Sequence, residues 1–182
     1  MIELTTDQIR GAAPTLRAGD RVLLSGEVYT ARDAAHKRLF ALLDAGQPLP
    51  FPLSGSIIYH AGPTPAQAGM PVGSCGPTTS GRMDPYAPRL LDLGLAAIIG
   101  KGERNQAVID AICRNNAVYF CAVGGAGALI AGCVKAAEEI AFPELGCESI
   151  KRFTIKDLPL TVALDCRGGN LFTEGKARYR AV

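Results

Sequence analysis

The chain has 182 residues, long enough for one well-cored domain and short for two. Its 48% hydrophobic and 20% charged residues exclude a disordered or fibrous chain, and 19 Lys+Arg against 17 Asp+Glu leave a net charge of only +2. No segment concentrates basic residues as a binder of nucleic acid or a membrane surface would, and no apolar run reaches the ~20 residues of a membrane span.

In chain order, residues 1–17 read as a polar lead-in, with Leu4, Ile9 and Leu16 as scattered apolar anchors. RVLLSGEVYT (21–30) favours a strand, and the following ARDAAHKRLFALLDAG has apolar residues at helical spacing up to Gly46. SIIYHAG is a second strand. GPTPAQAGMPVGSCGPTTSG (62–81) has no periodicity and is dense in Gly, Pro, Ser and Thr, the signature of a long, shaped loop. MDPYAPRLLDLG then reads as a helix and LAAIIG as a buried strand, ERNQAVIDAICRNN as an amphipathic helix and AVYFCAV as a strand. GGAGALIAG turns into a short helix before a further strand, and LPLTVALDCRGGNLF closes the chain with a strand and a turn. Alternating strands and helices predict a single α/β domain over 1–182, with a partly parallel sheet flanked by helices.

The six cysteines, at 75, 113, 121, 133, 147 and 166, form no CxxC pair and several lie in apolar runs. They read as reduced, buried, structural thiols in a cytoplasmic protein, and they do not make a zinc or iron–sulfur site within this chain. Two histidines, His36 and His60, are too few for a multi-histidine metal site.

GPTTSGR (76–82) concentrates the chemistry. Glycines at 76 and 81 admit a ligand close to the main chain, Thr78, Thr79 and Ser80 bring hydroxyls and N–H donors, and Arg82 adds a planar fork suited to a carboxylate. Arg32 at a strand-to-helix junction and Lys101 directly after a strand fall where parallel sheets gather ligand-binding loops. The three cations suit a small ligand with two carboxylates. Taken one at a time, each is an ordinary solvated side chain, and Thr78 and Thr79 are ordinary turn caps. A stand-alone anion-binding module therefore competes with an enzyme. A hydrolase using Cys75 at the mouth of the loop is a weaker third reading.

ARDAAHKR, IIYHAGPTP, GPTTSGRMDPY, IGKGER, GGAGALIA, FPELGCESI and the closing D-x-x-G-x-N-L-F together resemble the β subunit or C-terminal domain of class I fumarases, iron–sulfur hydro-lyases that also include tartrate dehydratase. The resemblance runs from about residue 18 to 173. It implies a swivelling β/β/α domain that packs against a separate α component carrying a [4Fe-4S] cluster, with reversible hydration of fumarate to L-malate as the reaction. It also implies a heterodimer that pairs further. The family's substrate-binding residues fall on Arg32, Thr78, Arg82 and Lys101, with Thr78 matching a threonine proposed as base for the C3 proton. Asp33 and His36 would orient that site. Gly81 matches the fumarase form of the motif, which favours fumarate over tartrate or a methyl-substituted fumarate (mesaconate).

Overall fold

The computed structural model describes residues 1–180. Its strands are β1 (Ile2–Thr5), β2 (Arg21–Thr30), β3 (Ile57–Tyr59), β4 (Ala97–Gly100), β5 (Val118–Cys121), β6 (Val134–Ala141) and β7 (Ile150–Leu164). The helices are α1 (Ile9–Ala12), α2 (Asp33–Asp44), α3 (Ala87–Asp92), α4 (Gln106–Arg114), α5 (Gly127–Cys133) and α6 (Leu171–Tyr179).

The sheet runs β1-β2-β3-β4-β5-β7-β6, and β2 also pairs with β7. Strands β2 to β5 are parallel neighbours, while β7 is antiparallel to both β5 and β2. The flanking helices and partly parallel sheet match the sequence-based expectation; beyond it, the β2–β7 pairing closes the sheet on itself as a five-stranded barrel. Residues 1–17 contribute to this architecture. β1 pairs in parallel with β2, and Ile9, Ala13 and Leu16 are buried.

Closure rests on curvature in the β2–β7 pair. The register shifts between Leu24 and Gly26, where Gly26 takes φ 122°, and Asp157 opposite takes φ 53° with its N–H donating to Ser25 Oγ at 2.9 Å. An extra residue in one strand bends it and sharpens its twist. The two-residue side-chain period then sorts the core. Ile57, Tyr59, Ala97, Ile99, Val118, Phe120, Phe153 and Leu160 fill the barrel. Ile58, Ile98 and Tyr119 face outward against Leu39, Leu90, Leu91, Val108 and Ile112 of the helices. Each fully buried Val, Leu, Ile or Phe among these contributes about 1.5–3 kcal/mol of burial.

The C-terminal motif has a structural task. Asp165 Oδ1 accepts the N–H groups of Arg167 (2.8 Å) and Gly169 (2.9 Å), and Oδ2 accepts that of Ala18 (2.9 Å), fastening the end of β7 to the entry of β2. Burial alone would raise its pKa, but the three N–H donors lower it below the usual carboxylate range. Asn170 then caps α6 by accepting from Phe172 N–H at 3.0 Å. Among the described residues no helix is long and apolar enough to cross a membrane.

Candidate active site

The parallel strands all end on one rim of the barrel, so the segments after β2, β3 and β4 emerge side by side. Arg32 follows β2, His60 follows β3, and Lys101 follows β4. The GPTTSGR turn is stitched across this rim by its backbone. Thr78 N–H donates to the His60 carbonyl at 2.7 Å, and Ser80 N–H to that of Lys101 at 2.9 Å. Isolated bridges join Ala61 to Pro77 and Thr79 to Lys101. The turn is therefore an extra short strand laid over the ends of β3 and β4, which fixes Thr78 and Arg82 relative to Lys101.

Arg82 makes the most specific contact of the site. Its Nε donates to Asp33 Oδ1 at 3.1 Å and its Nη2 to Asp33 Oδ2 at 3.0 Å, a two-point fork, while Nη2 also donates to Thr78 Oγ1 at 2.8 Å. Three predicted site residues, Asp33, Thr78 and Arg82, thus meet in one cluster. Because Thr78 Oγ1 accepts from a guanidinium, negative charge on that oxygen is favoured, and its own O–H remains free to donate. The fork leaves Nη1 of Arg82 for a ligand.

Arg32 occupies the N-cap position of α2 in an extended conformation and has no side-chain cap of its own. Its guanidinium lies against Gly62, where an added Cβ would sit 2.8 Å from Nη1 and 2.9 Å from Cδ. Only glycine leaves room for it. Its carboxylate partner is Glu148, 3.5 Å from Nη2. Lys101 makes no hydrogen bond or ion pair by its side chain among the described residues and rests against Gly124, 3.7 Å from a Cβ built there to Nζ. One interposed strand separates Arg32 from Lys101, about 10 Å between their backbones, within reach of both side chains.

Beneath the rim lies a buried polar layer. His36 Nδ1 is 2.8 Å from the Arg32 carbonyl, which can only accept, so the proton sits on Nδ1 and Nε2 carries the lone pair. His36 therefore secures the first turn of α2 and does not itself face the rim. Burial, aided by the charge of Arg104, lowers its pKa from 6.5 to about 4 despite that hydrogen bond. His60, 2.9 Å by Nδ1 from Ser80 Oγ, is also buried and has its pKa pushed well down, first by burial and then by His36, Arg104 and Arg82.

The unfolded chain takes up a proton on His36 below pH 6.5 that the folded chain refuses. Its stabilising contribution is complete above pH 6.5 and falls by about 3 kcal/mol as the pH drops from 6.5 towards 4. Urea unfolding midpoints measured across that window would show the decline. His36→Gln is expected to flatten it, leaving only the part due to His60, which has the same sign.

Asp84 and Arg104 tie the two site loops together below this layer. Arg104 Nε donates to Asp84 Oδ1 at 2.6 Å, Asn105 N–H donates to Asp84 Oδ2 at 2.7 Å, and the guanidinium lies 4.9 Å over the Tyr119 ring. Sequence reading missed this pair, although both residues lie in the motifs quoted for the resemblance. It also missed Glu148.

Cysteine placement departs from expectation in part. Cys75 and Cys166 are buried and Cys113, Cys121 and Cys133 half-buried, but Cys147 is exposed. Cys75 is fully buried, and burial pushes its thiol pKa up to about 12, which removes the nucleophilic cysteine reading. No three His, Cys, Asp or Glu side chains among the described residues converge as metal ligands. The described residues do not bring together the three thiolates that would hold an iron–sulfur cluster. A concavity of about 400 Å³, lined by Pro63, Val72, Cys147 and Lys151 among others, has none of Arg32, Thr78, Arg82 and Lys101 in its lining. The cluster itself is an open face.

Fold and site together define an α/β barrel domain that presents a cluster of cationic and hydroxyl-bearing side chains on the carboxyl edge of its parallel strands. The chain belongs to the fumarase C-terminus family, whose model matches residues 1–175. It is 40% identical over 156 residues to "Fumarate hydratase class I, anaerobic" of Escherichia coli, covering 85% of this chain and 28% of that protein. It is 35% identical over 170 residues to "Fumarate hydratase 2" of Leishmania major, covering 92% and 30%. With "Putative L(+)-tartrate dehydratase subunit beta" of Methanocaldococcus jannaschii it shares 38% identity over 165 residues, covering 87% of this chain and 85% of that one. The chain thus spans under a third of the two fumarate hydratases but most of the separate β subunit.

Proposed function

We propose that this chain is the substrate-binding β component of an iron–sulfur-dependent hydro-lyase, and that its reaction is the reversible hydration of fumarate to L-malate. The observation that carries this reading is the Asp33–Arg82–Thr78 cluster between Arg32 and Lys101 on one rim, an arrangement of fixed donors suited to a C4 dicarboxylate. The similarity to fumarate hydratases supports the substrate, and the near full-length match to a tartrate dehydratase β subunit supports a two-component enzyme.

In this reading an α component holds the [4Fe-4S] cluster, which supplies Lewis-acid chemistry at the hydroxyl added or lost. The two components form a heterodimer that pairs further, in the cytoplasm. Six unpaired thiols suit that compartment. Arg32 and Lys101 hold the two carboxylates, and Arg82, kept in place by Asp33, offers Nη1 to the substrate while its Nη2 holds the Thr78 oxygen. Thr78, having first lost its hydroxyl proton to solvent and being held as the anion by the Arg82 guanidinium, takes the C3 proton in dehydration and becomes a neutral hydroxyl; in hydration that hydroxyl gives the proton to C3 and returns to the anion. His36 acts only by holding the turn that carries Arg32. Swivelling of this domain against its partner would bring the open rim onto the cluster and exclude water from it.

Tartrate, favoured by the length match to the tartrate dehydratase subunit, and mesaconate are the second substrate readings. Anaerobic co-expression with the α component, followed by assays on fumarate, mesaconate and tartrate, tests both. Fastest turnover of fumarate is expected; fastest turnover of tartrate would replace the substrate. Activity of this chain alone would overturn the two-component reading. A binding-only result with every substrate would favour a non-catalytic anion-binding module.

A further inference from the structure

We propose that Glu148 is the positioning residue for Arg32, setting the direction in which its guanidinium meets the substrate. This rests on the reading of Arg32 as a carboxylate-binding residue. FPELGCESI enters the site only through Glu148, whose Oε1 lies 3.5 Å from Arg32 Nη2.

The geometry of Glu148 is set from both sides. Its Oε2 accepts the Ala34 N–H at 2.9 Å, capping the α2 end that Arg32 leaves uncapped, and its Oε1 faces Arg32 Nη2 at 3.5 Å. The backbone bearing it is fastened to the residue just before Ala31 and Arg32. Lys151 N–H donates to Thr30 Oγ1 at 3.0 Å, and Thr30 Oγ1 lies 3.4 Å from the Ser149 carbonyl. The carboxylate is therefore tied to the same strand end as the arginine it faces.

Arg32 has little else to hold it. Its Nε is buried without a partner, and Glu148 is its only ion-pair partner among the described residues. Gly62 and the Cys147 carbonyl beside it wall off one side of the guanidinium. Gly62 thus blocks one direction of movement, and attraction to the Glu148 carboxylate at 3.5 Å opposes movement away from it. The two side chains are 25% and 23% exposed, so the attraction is only partly screened. Arg82 has the same arrangement with Asp33, so each guanidinium of the site faces a carboxylate of its own chain, and Lys101 has none.

Glu148→Gln separates cap from charge. The amide oxygen can still accept from Ala34 N–H, whereas the attraction for Arg32 is lost. In the assembled enzyme, the KM for fumarate is expected to rise about fivefold with kcat within about twofold, and the thermal midpoint to stay near wild type. Glu148→Ala should lower the thermal midpoint as well. An unchanged KM in Glu148→Gln would overturn the proposal.

A second measurement needs no turnover. The Arg32 Nε–H signal, assigned by its loss in Arg32→Lys, should be protected from exchange in 15N spectra of the wild-type chain and unprotected in Glu148→Gln. Equal protection in both would overturn the proposal. An inactive wild-type assembly with intact protection would instead overturn only the functional reading of Arg32.

Discussion

Arg82→Lys, assembled with the α component, is expected to lower kcat for fumarate hydration by about 10²–10³-fold, the usual span for removing the support of a general acid–base group. Charge is conserved in this variant, so loss of Coulomb attraction cannot account for the drop. A lysine ammonium cannot span both oxygens of Asp33 while reaching Thr78 Oγ1, as the guanidinium does at 3.1, 3.0 and 2.8 Å. The threonine oxygen would lose the donor that stabilises its negative charge, and Asp33 would be left free to compete for the substrate's place. The check is steady-state kinetics alongside Thr78→Val and Thr78→Ser. Thr78→Val should be as inactive as Arg82→Lys, and Thr78→Ser should retain most activity. Near-normal turnover by Arg82→Lys would remove the cluster from the chemistry.

The Asp84–Arg104 pair carries the largest expected effect on stability. The Arg104 side chain is fully buried and that of Asp84 is 7% exposed, and Nη1 and Nη2 of Arg104 have no partner, so its charge depends on one carboxylate and the Tyr119 ring. Asp84→Ala would strand that charge and is expected to cost about 3–5 kcal/mol. For a chain of this size that lowers the thermal midpoint by roughly 10 °C or more. The double variant Asp84→Leu/Arg104→Met should recover most of the loss, since apolar replacements of a buried pair are often neutral. Calorimetry of the three variants decides it. A single variant within about 1 kcal/mol of wild type would mean the pair is already solvated. Because the pair joins the helix entry after GPTTSGR to the loop after Lys101, the recovered double variant should still bind dicarboxylate less tightly.

Much of this architecture is legible in the chain. β2, α2, β4, α4 and β5 each follow a single clear period, and their predicted limits lie within a few residues of the observed ones. The first half of β7 was not legible, because Lys156, Asp157 and Pro159 interrupt its alternation and imitate a turn. In the structure Asp157 takes a left-handed bend instead, held by Ser25, a partner 132 residues away. Closure of the barrel by β2 and β7 is invisible for the same reason. No local pattern encodes a pairing between such distant segments.

The site divides likewise. Arg32, Thr78, Arg82 and Lys101 announce themselves by residue type and by their place at strand ends. The partners that orient them do not. Asp33 reads as an ordinary first-turn acid of α2, and only the folded chain shows its fork with Arg82, 49 positions away. Glu148 is separated from Ala34 by 114 positions and sits in a segment without periodicity, so its link to the end of α2 had no sequence signal.

The unbroken hydrogen-bonded ring has a last consequence. Strands in a hoop cannot slide apart to suit a visitor, so under the proposed function the spacing of the strand ends that bear Arg32 and Lys101 would act as a fixed gauge, set by main-chain spacing and adjustable only by side-chain rotation. Diacids of different lengths would then be sorted before any bond is made. A molecule two methylenes longer than the one it suits must fold up or let go of one end, and no rearrangement of this scaffold can spare it that choice.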